Sequence, residues 1–171
     1  MQIDLAIIPA TLADAEQVSR LFYEAGAWLE ARGIRQWSAA WPPAERHQAA
    51  IRERIARGWC YLAWRGGEVA GTLTLQPADP SVWGDDDGAA LYVHGLAISR
   101  AWAGHGIGRA MLGWAEREVV ACGRLWLRLD CIASNAALRA YYQRAGFRYV
   151  REIGGETTRR VAQFEKLVAE Q

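Results

Sequence analysis

Apolar residues change their spacing several times along the chain, and each change marks an element. Ile3 to Ile8 reads as a short strand that ends at Pro9. Thr11-Leu-Ala-Asp14 is placed to cap a helix, the Thr11 hydroxyl accepting from first-turn amides. Ala15, Val18, Leu21, Phe22, Ala25, Trp28 and Leu29 then recur at helical spacing until Gly33. Ile34 to Pro43 has no period and reads as a loop, and Pro42-Pro43 opens a second helix that runs to about Arg57. Trp59–Trp64 and Glu68–Leu75 flank Arg65-Gly-Gly as a hairpin. A loop from Pro77 to Ala89 leads into the apolar strand Leu91–Ile98. After a glycine-rich turn, a helical pattern starts with Ala110 and ends near Cys122-Gly123. Leu125–Asp130 alternates as a strand, and Asn135–Ala145 is a short helix stopped by Gly146. Phe147–Ile153 and Arg160–Val168 form a closing antiparallel pair. The expected fold is a single α+β domain over residues 1–171, its mixed and mostly antiparallel central sheet flanked by helices.

Composition narrows the function classes. At 171 residues with 51% hydrophobic positions, the chain can bury a real core. Its formal net charge of +1 gives no general attraction to nucleic acid or to a membrane surface. The longest apolar runs are too short to span a bilayer, and the first residues lack the basic region of a secretion signal. The expected location is therefore cytoplasmic. The 3 cysteines, Cys60, Cys122 and Cys131, have no CxxC spacing and read as reduced buried thiols, so no metal site is expected.

The chemistry concentrates behind Ile98. Gly104, Gly106 and Gly108 alternate, so the backbone can bend sharply and come close to a ligand. A helix starting directly after such a turn aims unpaired N–H groups and its positive dipole end into that space. This is an anion site, most often a phosphate site.

Two motifs together resemble the GNAT superfamily of acetyl-CoA-dependent N-acetyltransferases. Ala103-Gly-His-Gly-Ile-Gly108 matches the family's pyrophosphate loop at both of its glycines, after an apolar strand and before a helix. Downstream, Asn135, Tyr142, Gly146 and Phe147 match the family's second motif in register. The order of strands and helices fits from Ile3 to Val168. One departure stands out: the loop's opening Arg or Gln is Ala103 here, so the backbone amides must carry the grip, with Arg100, His105 or Arg109 as replacement charges.

The resemblance implies a site. Acetyl-CoA, as co-substrate, would be held by the backbone of Leu96, Ala97 and Ile98, by Ala103, Gly104, His105, Gly106, Ile107, Gly108 and Arg109, and by Asn135. Tyr142 corresponds to the general acid that protonates the leaving sulfur, while a packed aromatic explains the same residue; Tyr141 beside it reads as core. His94 stands where many relatives carry a glutamate base, and imidazole chemistry suits that task. A histidine hydrogen-bonded inside the sheet is an equal alternative, and Asp85, Asp86, Asp87 or water are rival bases. His47, on a surface-type helix, has a weaker case. Trp37, Trp41 and Trp83 fall where the acceptor site is usually built and could hold an amine by packing or cation–π contact. Trp59, Trp64, Trp114 and Trp126 lie in periodic segments and read as core.

The implied partner is a small-molecule or peptide amine acceptor, with no nucleic acid and no membrane, and a homodimer is compatible with the family. The competing class is an acyl-CoA-binding regulatory module of the same fold with little or no turnover.

Overall fold

In the computed structural model, which describes residues 4–34, 44–84, 88–154 and 159–168, the hydrophobic pattern closes into two units of chain. The first takes Met1–Leu75 and Gly95–Trp114, and the second takes Gln76–His94 and Ala115–Gln171.

The first unit is built on β1 (Ala6–Pro9), β2 (Cys60–Arg65) and β3 (Glu68–Gln76, its last residue outside the unit), with β1–β2 and β2–β3 antiparallel. Gly66-Gly67 makes the tight hairpin turn that the sequence predicts. Helices α1 (Ala15–Glu30) and α2 (Ala44–Ala56) supply the apolar faces that the strands need. Val18, Leu21, Phe22 and Ala25 of α1 join Ile51 and Ile55 of α2 and Leu62 of β2 in one core. Asp14 precedes α1 and accepts from both the N–H and the hydroxyl of Thr11, each at 2.7 Å. Thr11 and Asp14 thus form a capping box, in which the Thr11 hydroxyl also donates to the carboxylate, the stronger acceptor.

In the second unit, β5 (Trp126–Ile132) lies between β4 (Ala90–Ile98) and β7 (Val161–Leu167), with β6 (Arg148–Ile153) outermost. The β4–β5 ladder is parallel and runs from Ala90↔Trp126 to Val93↔Leu129, where it ends. The β5–β7 and β6–β7 ladders are antiparallel. Strand β4 crosses from the second unit to the first between His94 and Gly95. Among the described residues the strand order is β1-β2-β3-β4-β5-β7-β6 in a mixed sheet of 7 strands. Helix α4 (Ile107–Ala121) likewise runs from the first unit into the second, and α5 (Ala136–Arg144) belongs to the second. No helix among the described residues is long and apolar enough to cross a membrane.

Several expectations change. The loop after β3 contains a short helix, α3 (Pro80–Trp83), and α4 starts at Ile107 rather than Ala110. Cys60 and Cys131 are buried thiols, but Cys122 is exposed at the end of α4. His47 is not a surface residue: it is 7% exposed and packs edge-on against Phe22 and Tyr23, completing the His47–Ile51–Ile55 stripe of α2. Trp59, Trp64, Trp114 and Trp126 are half-buried rather than fully buried, and Trp64 packs against the core of the first unit.

Gly95 is tightly packed in the first unit. Its φ is +55°, and a Cβ there would lie 2.7 Å from the Phe22 ring. Gly95→Ala combines left-handed backbone strain with overpacking, so it should cost roughly 2 kcal/mol or more in urea unfolding. A variant with an unshifted midpoint would show that the ring yields freely and that the kink is not enforced.

Candidate active site

In the first unit, β4 ends at Ile98 and a single 3-10 turn, Arg100–Trp102, carries the chain into the glycine segment. Gly104 and Gly106 have φ of +79° and +75°, the left-handed values that let the backbone double back. Ala110 N–H donates to the Gly106 carbonyl at 3.0 Å, the first bond of α4, so the amides ahead of it point out of the helix start. Nothing lies within 4 Å of the space a Cβ on Gly104 would fill. The turn is open and donor-rich, as an anion cradle must be. Ala103 brings no charge to it. Of the replacements the sequence offers, Arg100 lays its guanidinium 4.1 Å from the Trp28 ring, and His105 Nδ1 lies 3.0 Å from the Ala103 carbonyl. Arg109 is exposed on the first turn of α4. Leu96 and Ile98 are half-buried and Ala97 is buried.

In the second unit, His94 is flanked by two carboxylates that sequence reasoning missed. Its Nε2 is 3.1 Å from Asp79 Oδ2, and its Nδ1 is 3.9 Å from Asp130 Oδ1. The first contact has ion-pair distance but lies off the N–H axis, so neither Nε2 nor Oδ2 makes an aligned hydrogen bond. The Asp79 side chain is 4% exposed, and its Oδ1 accepts from the Ser81 hydroxyl at 2.7 Å. Burial pushes the Asp79 carboxyl up, but the His94 ring and the Ser81 hydroxyl outweigh it and hold Asp79 below the ordinary aspartate range. Asp130 goes the other way. Burial raises it above the ordinary range, against the pull of His94 and with the push of Asp79.

Tyr142 is buried between Phe147 and Phe164, with ring centroids at 6.0 and 5.9 Å. Burial, helped by Cys131 and Asp130, raises its phenol far above the ordinary value, so the hydroxyl keeps its proton. Tyr141, expected in the core, is only half-buried, because Tyr142 takes the buried side of α5, as the packed-aromatic alternative for Tyr142 has it. Asn135 is the N-cap of α5, its Oδ1 accepting from the Leu138 N–H at 3.1 Å. Trp83 carries the Arg128 guanidinium on its ring at 4.9 Å and lies near Tyr92, so one of its faces already holds a cation. Trp37, Trp41 and Asp85 to Asp87 lie outside the described residues.

A signal for the missed acids was present. Strand β5 buries Leu127, Leu129 and Cys131 on one face and presents Arg128 and Asp130 on the other. Charges on the second face of an inner strand need partners. Asp79 gave only an Asp-Pro turn pattern, and its meeting with His94 is tertiary.

The profile of the family described as "Acetyltransferase (GNAT) family" matches residues 22–147. The uncharacterized N-acetyltransferase YesJ of Bacillus subtilis (strain 168) is 35% identical over 147 residues, which cover 83% of this chain and 81% of YesJ. A solved GNAT-family acetyltransferase from Listeria monocytogenes superposes with a TM-score of 0.76 at 25% identity, covering 96% of this chain and 95% of that one. The yncA protein of Salmonella typhimurium, solved with its cofactor acetyl-CoA, shares the fold with a TM-score of 0.67 at 19% identity, covering 98% of this chain and 96% of that one.

The raised Asp130 carboxyl predicts a pH-dependent stability. A carboxyl whose folded value exceeds its unfolded one stabilises the fold while protonated, and this stability is lost as pH rises through the folded value. Asp130→Asn stays neutral, so its stability relative to the parent should grow from acid toward neutral pH in denaturant titrations. A difference that is flat or declines with pH contradicts this.

Proposed function

The chain belongs to the GNAT acetyltransferase family, and from that premise we propose that it moves the acetyl group of acetyl-CoA to a primary amine, a small molecule or a peptide N-terminus, by direct attack in a ternary complex. The observation that carries this reading is the open glycine turn at Gly104 and Gly106 running straight into α4. Backbone amides there suit the pyrophosphate, which needs donors rather than a particular side chain. The backbone of Leu96, Ala97 and Ile98 receives the pantetheine arm as an added strand would. The end of the β4–β5 ladder at Val93↔Leu129 supports this, because the strand continues to Ile98 without that partner. Asn135 is spoken for by its cap and adds polar contact to the cofactor through its remaining atoms.

His94 takes the ammonium proton of the acceptor. The amine lone pair then attacks the thioester carbonyl, with a backbone N–H near Ile98 as donor to the oxyanion. Tyr142 protonates the departing thiolate, a role that suits a phenol held in its protonated form. Trp37, Trp41 and Trp83 are the acceptor-binding side chains of this reading.

Release of free thiol from acetyl-CoA across a panel of amines tests the proposal. Turnover with at least one amine is expected; tight acetyl-CoA binding with no turnover on any amine would instead make the chain an acyl-CoA-binding module. Tyr142→Phe should lower turnover about 10²-fold and leave acetyl-CoA affinity nearly unchanged. An unaltered rate would remove Tyr142 from the mechanism.

A further inference from the structure

The carboxylates beside His94 face different nitrogens of its ring, Asp79 at Nε2 and Asp130 at Nδ1. The three side chains offer atoms within 4.8 Å of one another, close enough to consider a metal ion. A metal, however, takes one nitrogen of a histidine and gathers its other ligands around that nitrogen. Here the acids part toward opposite nitrogens, which builds a chain of proton donors and acceptors instead of a coordination sphere.

We propose that Asp79 and Asp130 make His94 a proton relay for aliphatic amines: Asp79 is a positioning residue that fixes the Nε2–H tautomer, and Asp130 holds the incoming ammonium beside the bare Nδ1. The proposal rests on the acetyltransferase reading and names its acceptor class.

The tautomer follows from burial. Asp79 Oδ2 has no aligned partner, and Nε2 of His94 lies within ion-pair range of it at 3.1 Å. A buried carboxylate oxygen facing a lone pair would go unpaired at a cost of several hydrogen bonds' worth of desolvation, so Nε2 must bear the proton. Asp79 is itself held in place. Ser81 donates to it, and the fully buried Gln163 of β7 donates from Nε2 to the Val82 carbonyl at 2.6 Å, anchoring α3 beneath His94.

Access separates the two acids. The Asp79 side chain is 4% exposed, whereas those of His94 and Asp130 are 21% and 16% exposed. A ligand can therefore reach the Nδ1 side and not the Nε2 side. Among the described residues, the charged groups acting on the His94–Asp130 pair are Asp79, at the opposite nitrogen, and Arg159, whose charge acts on Asp130.

The arrangement is selective by charge. An aliphatic amine arrives as an ammonium at neutral pH, as a lysine does, and must lose a proton before it can attack. Asp130 offers that cation an ion pair, and Nδ1 accepts one proton to give imidazolium paired with Asp79. The neutral amine forms the C–N bond, and a second proton leaves the nitrogen for solvent. The C–S bond breaks, the thiolate takes the phenol proton of Tyr142, which solvent restores, and the His94 imidazolium gives its proton to solvent to regenerate the base. One ammonium and one acetyl-CoA thus yield one amide, one free thiol and one released proton. An arylamine is neutral already and gives Asp130 nothing to hold.

Two measurements test this on the full chain. The first is nitrogen NMR of the His94 ring, which needs no turnover. The neutral ring should carry its proton on Nε2, and Asp79→Ala should move it toward Nδ1. Propylammonium should shift the His94 resonances in the parent and not in Asp130→Asn. A neutral parent ring protonated on Nδ1, or no response to propylammonium, overturns the relay even if no amine is ever acetylated. The second is kinetic. Asp130→Asn should raise KM for propylamine by roughly tenfold or more and leave KM for aniline unchanged. Asp79→Asn should lower kcat and displace the acidic limb of the pH profile, with partial rescue in Asp79→Glu. Equal effects on both amines, or an undisturbed limb, contradict the proposal. Absence of thiol release with every amine would instead defeat the acetyltransferase reading, and the NMR result would still decide the tautomer.

Discussion

A side chain at position 95 would meet the Phe22 ring 2.7 Å from its Cβ, and the backbone there holds φ at +55°, so β4 can make this passage only as glycine. Everything placed by β4 depends on that passage. Up to Val93 the strand is locked into a parallel ladder with β5, which fixes His94 at the ladder's end. Beyond Gly95 the same strand carries Leu96, Ala97 and Ile98 into the turn that opens α4. A straight strand would keep one hydrogen-bonding pattern along its whole length. The kink lets one strand serve two units, one holding titratable side chains and the other a donor-rich turn.

The second unit handles buried charge in two ways. Glu165, 5% exposed, is paired with Arg128 and with Arg148, and Arg128 also donates to the Tyr92 hydroxyl. That network satisfies its members and reads as structural. The Asp79–His94–Asp130 chain differs, because its two acids are driven apart: contacts hold Asp79 down while burial holds Asp130 up. Carboxyls pushed in opposite directions mark sites where protons move. In the proposed mechanism Tyr142, held protonated by burial, is the complementary acid in the same unit.

Local chemistry was the readable part of the sequence. The glycine turn, the Asn135 cap and the hairpin at Gly66-Gly67 depend on residues a few positions apart, and pattern alone places them. The Tyr142 register was readable from the family motif, although Tyr141 beside it reads as core. What the sequence hid was tertiary. Asp79 reaches His94 only because α3 forms and Gln163 pins Val82, a contact across 81 positions. His47 seemed a solvent residue on a thinly apolar helix, yet Phe22 and Tyr23 of α1 enclose it. Cys122 broke the buried-thiol expectation because α4 ends one residue before it.

The central claim is that backbone amides of the turn, without the usual side-chain charge, grip the pyrophosphate of acetyl-CoA. Calorimetric titration with acetyl-CoA and with acetyl-pantetheine, which lacks the pyrophosphate, tests it most directly. The account predicts that acetyl-CoA binds at least tenfold more tightly, and that Gly106→Val, strained at a φ of +75°, removes most of this advantage. Equal affinity for the two thioesters, or a Gly106→Val variant that keeps the full preference, would contradict it.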